Sequence, residues 1–152
     1  MEVELKLEPG RRDPKVVILA NERTPELEAL VRQLSGLSIG PLTVWRDGRA
    51  ELVEQREFLR FYADGKGVSA QTGRETYTVR LRLYELEERL DKRRFVRISN
   101  SEIVNLDRVT ALDLSLAGTI RMTLDRTVST YVSRRYVKRI KEALGLRKER
   151  QP

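Results

Sequence analysis

The sequence predicts a mainly β domain of short antiparallel strands and brief helices, with a small β-β-α element in front of it. Three features carry that expectation. From Asp47-Gly48 onward, turn-forming pairs recur at short intervals, at Asp64-Gly65-Lys66-Gly67, Thr72-Gly73, Ala117-Gly118 and Asp125-Arg126, and most contain a residue suited to tight-turn geometry. Between these turns, apolar and polar residues alternate with the period of two that a half-buried strand requires. Helical spacing is confined to three short stretches.

The head comes first. Residues 3 to 7 (VELKL) alternate and residues 16 to 19 (VVIL) form an apolar run, so both read as strands joined by the Pro- and Gly-containing turn around PGRRDP. Thr24 is an N-cap candidate, Pro25 suits the first helical position, and Glu26 and Glu28 suit the positive end of a helix dipole. Leu27, Leu30, Val31 and Leu34 then share one face before Gly36 ends the helix. Residues 1–40 are too few for a receiver domain of the two-component type. Their apolar helix face must be buried against something, either a second copy, giving a homodimer, or the rest of the chain.

From Pro41 the texture changes to strands and turns. LTVW and AELV flank Asp47-Gly48 as a hairpin, FLRFYA leads into the loop at Lys66, and VSAQT and ETYTVR flank Thr72-Gly73. Leu83, Leu86 and Leu90 mark two helical turns in LYELEERL. FVRI resumes extended structure, ALDLSL and TIRMTL flank Ala117-Gly118, and VSTYV follows Asp125-Arg126. A last helix has Ser133 as N-cap candidate and Tyr136, Val137, Ile140 and Leu144 on one face, and it ends at Gly145. Residues 41–147 thus form the main domain and 148–152 a polar tail.

Composition narrows the function. There is no cysteine and no histidine, which removes disulfides, the usual zinc sites, cysteine nucleophiles, His-dependent triads and the commonest general base near neutral pH. No enzyme, metal or cofactor is expected. The net charge is +7 and is unevenly spread: residues 1–40 carry six Lys/Arg against seven Asp/Glu, so the remaining 24 against 16 place the whole excess beyond residue 40. A basic block behind a neutral head suits a polyanionic partner, because neutralising phosphates releases counterions. The carboxylates Glu85, Glu87 and Glu88 read as the solvent face of their helix, and Trp45, Phe58 and Phe61 as core. With no apolar run of eighteen residues and no signal-like start, a cytoplasmic location is expected.

The most informative segment is FVRISNSEIVNLDRV, Phe95 to Val109. It begins as a strand, breaks at Ser99-Asn100-Ser101, and returns to the core at Ile103 and Val104; Asn105 is expected to bond local backbone. An amide on such a corner, beside Arg97, is able to bond a base edge; the plainer reading is a turn that caps its own backbone. This segment resembles the F-x-R-x-H/S-x-S-x-I-V-N block of LytTR-type DNA-binding domains. YVSRRYVKRIKEAL is similar to their closing helix, YELEERL to their short middle helix and FYADGKGVSAQTGRETYTVR to their early strand-loop-strand, over about residues 43 to 147.

The resemblance implies an elongated β domain whose loops, in place of a recognition helix, enter successive major grooves of a direct-repeat site on double-stranded DNA. It implies Lys66, Asn100 and Arg135 as contact residues, with Arg97, Ser99 and Arg134 around them. Ser99 stands where the family often has a bulky residue or histidine. A stand-alone transcription regulator with no small-molecule substrate follows, and the family's stand-alone members leave a membrane-associated regulatory partner open. The rival expectation is an RNA-binding or protein-interaction module on a basic β domain, although no RNP1-like aromatic pattern occurs.

Overall fold

The computed structural model describes residues 1–12, 14–35, 40–65 and 67–145. They form ten strands and three α-helices. The head helix α1 (Pro25–Ser35) precedes β1 (Leu42–Arg46), β2 (Arg49–Val53), β3 (Phe58–Asp64), β4 (Gly67–Thr72) and β5 (Thr76–Val79). Helix α2 (Leu83–Arg89), β6 (Phe95–Ser99), β7 (Glu102–Asn105), β8 (Val109–Asp113), β9 (Ile120–Leu124), β10 (Val128–Val132) and α3 (Arg134–Ala143) follow. The architecture is mainly β and wholly antiparallel, with one sheet in the order β2-β1-β5-β4-β3-β7-β6 and a second in the order β10-β9-β8.

The turns follow their residues. Asp47 and Gly48 both have positive φ, as the hairpin between β1 and β2 requires, and Asp125 and Arg126 do the same between β9 and β10. Thr72 Oγ1 accepts bonds from the Arg74 and Glu75 N–H groups and so rounds the corner into β5. Thr24 caps α1 through Leu27 N–H, and the Glu85 carboxylate accepts from Arg82 N–H at the start of α2.

Two hydrophobic clusters hold the sheets. Register puts Phe61, Ala70, Tyr77 and Ile103 on one face of the large sheet, where they pack with Phe58, Phe95 and the α2 residues Leu83, Leu86 and Leu90. Phe61 lies between the Phe58 and Phe95 rings, with centroids at 4.9 and 5.7 Å. On the opposite face, Ile98 and Val104 meet Ile120, Met122, Leu124 and Val132 of the small sheet and Ile140 of α3. The β6–β7 unit is therefore clamped from both sides, so the corner between its strands is held from below.

The head departs from expectation. Only its helix forms; the segments 3–7 and 16–19 form no ladder, and Val3, Leu5, Leu7 and Leu19 stand at least 85% exposed. A strand needs a partner for its N–H and C=O groups, and alternation does not supply one. Gly36, the expected helix stop, and the polar tail lie outside the described residues. Among the described residues, no helix is long and apolar enough to cross a membrane.

Candidate nucleic-acid interface

Four structures meet at one end of the domain. The Ala63 N–H donates to the Ser101 carbonyl at 2.8 Å, joining the β3–β4 hairpin to the β6–β7 corner. The Ser133 N–H donates to the Ile98 carbonyl at 2.9 Å, joining that corner to the start of α3. Arg134 then lies against Gly118 in the β8–β9 turn: a Cβ at Gly118, whose φ is +73°, would fall 2.8 Å from Arg134 Nε. The positive φ favours glycine there, and the flexible end of Arg134 rests in the space that a Cβ would take.

The corner is built without the Asn100 side chain. Ser99 Oγ accepts from the Ser101 N–H at 3.2 Å, so the serine rounds the turn and the asparagine amide stays exposed. The turn does cap its own backbone, but through Ser99. Arg97 lies on the α2 side of the sheet, paired with Glu87, and donates to the Asn100 carbonyl at 2.5 Å and to the Ser99 carbonyl at 3.5 Å. Its side chain is only 14% exposed, so it braces the loop from below. The Asn100 amide oxygen accepts a longer bond, 3.4 Å, from the Tyr136 hydroxyl. Asn105, five residues on, behaves as expected and more: its oxygen accepts from Asp107 N–H, and its amide donates to the Phe58 carbonyl 47 positions earlier in the chain.

Arg134 and Arg135 open α3, both exposed, with Lys138, Arg139 and Lys141 exposed further along. Tyr136, Val137 and Leu144 are half-buried on the opposite side around the buried Ile140, giving an amphipathic basic helix. Ser133 occupies the N-cap position, but its side chain makes no capping bond. Arg135 makes no ion pair among the described residues. At the β8–β9 turn, the Ser115 hydroxyl and N–H hold Asp113 below the usual carboxylate range. Lys66 lies outside the described residues; its flanking Asp64 and Gly67 pair across the hairpin.

Sequence reasoning thus located the corner and the helix start, but it assigned Tyr136 to the apolar face alone. A tyrosine at a helix start carries a polar tip that seeks a partner, and that was the available signal. The seat that Gly118 offers Arg134 had no local signal.

The LytTr DNA-binding domain family model matches residues 48–145. The chain belongs to the LytTR family. It is 32% identical over 147 residues, 96% of this chain and 99% of the relative, to an uncharacterised HTH-type transcriptional regulator of Staphylococcus aureus strain NCTC 8325 / PS 47. It is 31% identical, with the same coverage, to one of strain MRSA252. A solved LytTr DNA-binding domain from Bacillus cereus superposes with a TM-score of 0.67 at 24% identity, over 70% of this chain and 97% of that one. The alignment to the relatives extends across the head, whereas the family model begins inside the first hairpin. Although the relatives are named for a helix-turn-helix, the helices described in this LytTR chain are separated by strands and form no such motif.

Proposed function

We propose that this LytTR chain is a sequence-specific duplex-DNA-binding transcription regulator in the cytoplasm, without catalysis, that reads DNA with one loop end of its β domain. The observation that carries the reading is the convergence of the exposed Asn100 corner with the start of a basic helix, tied by the Ser133 to Ile98 and Tyr136 to Asn100 bonds. Asn100 has the chemistry for a base edge, Arg135 for a base or phosphate, and Lys138, Arg139 and Lys141 for the backbone alongside. Arg97 and Ser99 shape the loop, Arg134 leans on the β8–β9 turn, and Lys66, between Gly65 and Gly67 in the sequence, is assigned a further contact. The relatives' names support regulation of transcription.

Loops of an asymmetric domain entering successive major grooves suit a direct repeat. Selection of bound duplexes from a random DNA pool tests this: an enriched tandem motif is expected, and enrichment of single-stranded RNA in a parallel pool would overturn it. Binding is expected to weaken steeply with salt, with about −0.9 in log K per log salt for each neutralised phosphate and roughly five to seven phosphates engaged. A slope near zero would contradict the electrostatic part.

The head is proposed to dimerise the chain, since Val3, Leu5, Leu7 and Leu19 have no cover within one copy. Sedimentation of the full chain and of a version beginning at Leu37 tests it; monomers throughout the micromolar range would refute it. A membrane-associated regulatory protein that occupied the same surface would oppose dimerisation.

A further inference from the structure

We propose that Glu102 is a positioning residue for sequence discrimination, holding the Asn100 corner at a set distance from the start of α3 through Thr130. The inference deepens the DNA-reading function and rests on it.

Glu102 is the first residue of β7, two positions after Asn100, and its carboxylate lies between the two sheets. Its side chain is 12% exposed, that of Arg60 20%, and Thr130 is 7% exposed. One carboxylate oxygen accepts from the Thr130 hydroxyl at 2.8 Å, and the other faces the Arg60 guanidinium at 3.4 Å. Arg60 is itself held by Gln71 at 2.8 Å and lies over the Tyr62 ring at 4.4 Å. The carboxylate is therefore anchored in the large sheet and reaches across to the small one. Thr130, paired with Met122 at the middle of β10, stands four residues before Arg134.

Thr130 is buried and the Glu102 and Arg60 side chains are largely covered, and an ion pair in such a place is a weak source of stability. Taking a carboxylate and a guanidinium out of water is costly, and well-packed apolar residues of similar size commonly serve a core as well or better. A directional bond, unlike apolar packing, fixes one relative placement of two surfaces. The placement fixed here is that of β7, which carries the corner, relative to β10, which aims α3. Apolar packing of Ile98 and Val104 on Val132 and Ile140 also holds these parts together, but among the described residues the other directional ties are the Ser133 to Ile98 backbone bond and the long, exposed Tyr136 to Asn100 bond. Two readers that must meet one duplex together depend on that spacing, whereas nonspecific phosphate contact does not.

The test uses the full chain, the duplex it selects from a random pool, and a scrambled duplex of equal composition. Thr130→Val removes the hydroxyl at nearly constant volume, and Thr130→Ser restores it. Thr130→Val is expected to reduce the selected-to-scrambled affinity ratio about tenfold, the lower end of a lost base contact, while scrambled-duplex affinity stays within about twofold. Thr130→Ser is expected to recover the ratio. Glu102→Gln provides a second route should the valine variant fold poorly, and it should lower the ratio in the same direction. The double variant should lose less than the sum of the two, since glutamine has one acceptor oxygen for the two partners Thr130 and Arg60, and both variants break the same bridge. A ratio unchanged in every folded variant, or lost equally on both duplexes, overturns the inference alone. A wild-type chain without duplex preference overturns the DNA-reading function as well.

Discussion

The head and the domain carry similar hydrophobic patterns and come to different ends. VELKL at residues 3–7 alternates as well as VSAQT at 68–72 does, yet the first has no ladder and the second is the core of β4, paired on both sides. The difference is one of partners. β4 lies between β3 and β5, so both of its rows of N–H and C=O groups are satisfied and Val68 and Ala70 are covered by Phe61 and its neighbours. The head has a capped helix, but its segments 3–7 and 16–19 join no ladder among the described residues. Periodicity therefore states which face a segment would bury, and the rest of the chain decides whether it is buried.

The largest expected effect separates the two regions by energy. Phe61→Ala, at the centre of the buried ring cluster, should cost about 3–5 kcal/mol of domain stability, whereas Leu5→Ala should leave the melting of dilute protein unchanged. Denaturant titration of both checks this, and comparable losses would erase the distinction between head and domain. A sharper version lies within one segment. Asn105→Ala orphans the Phe58 carbonyl and the Asp107 N–H and should cost about 2–3 kcal/mol; Asn100→Ala, on the open corner, should stay within about 0.5 kcal/mol.

Smaller effects come from the turns. Arg126 sits at φ +62°, a conformation that side chains disfavour, so Arg126→Gly should gain about 0.5–1 kcal/mol in the same titration; a loss would show that its side chain repays the strain. The smallest effect concerns acid. Asp113 is held below its unfolded pKa by Ser115, so its contribution is present above the unfolded value and lost as pH falls through the folded one. Melts of wild type and Ser115→Ala should differ near neutral pH and converge once the pH has fallen well below the ordinary aspartate range. A gap that persists in acid would assign the effect to something other than the carboxylate.

Much of the domain was legible because its signals are local. Asp47-Gly48 marks its hairpin, Leu83, Leu86 and Leu90 mark α2, and the Tyr136 to Leu144 face marks α3, each needing only neighbours within a turn or two. The corner was legible for the same reason, three small polar residues between two apolar runs. What escaped depends on residues far apart in the chain: β5 inserted between β1 and β4, Asn105 reaching Phe58, and Glu102 reaching Thr130. The head strands failed in the opposite sense, since their local signal was present and its partner was not.

The central claim is that Asn100 and the start of α3 read sequence, while the basic flank of the helix only holds the backbone. It is tested most directly by measuring Asn100→Ala, Arg135→Ala and Lys138→Ala on the selected and scrambled duplexes at one salt concentration, after confirming that each variant melts as wild type does. Asn100→Ala and Arg135→Ala should each lose roughly ten- to hundredfold in discrimination, while Lys138→Ala should weaken both duplexes alike. Equal losses on both duplexes for Asn100→Ala and Arg135→Ala would mean that these residues only position the protein, and the account would be contradicted.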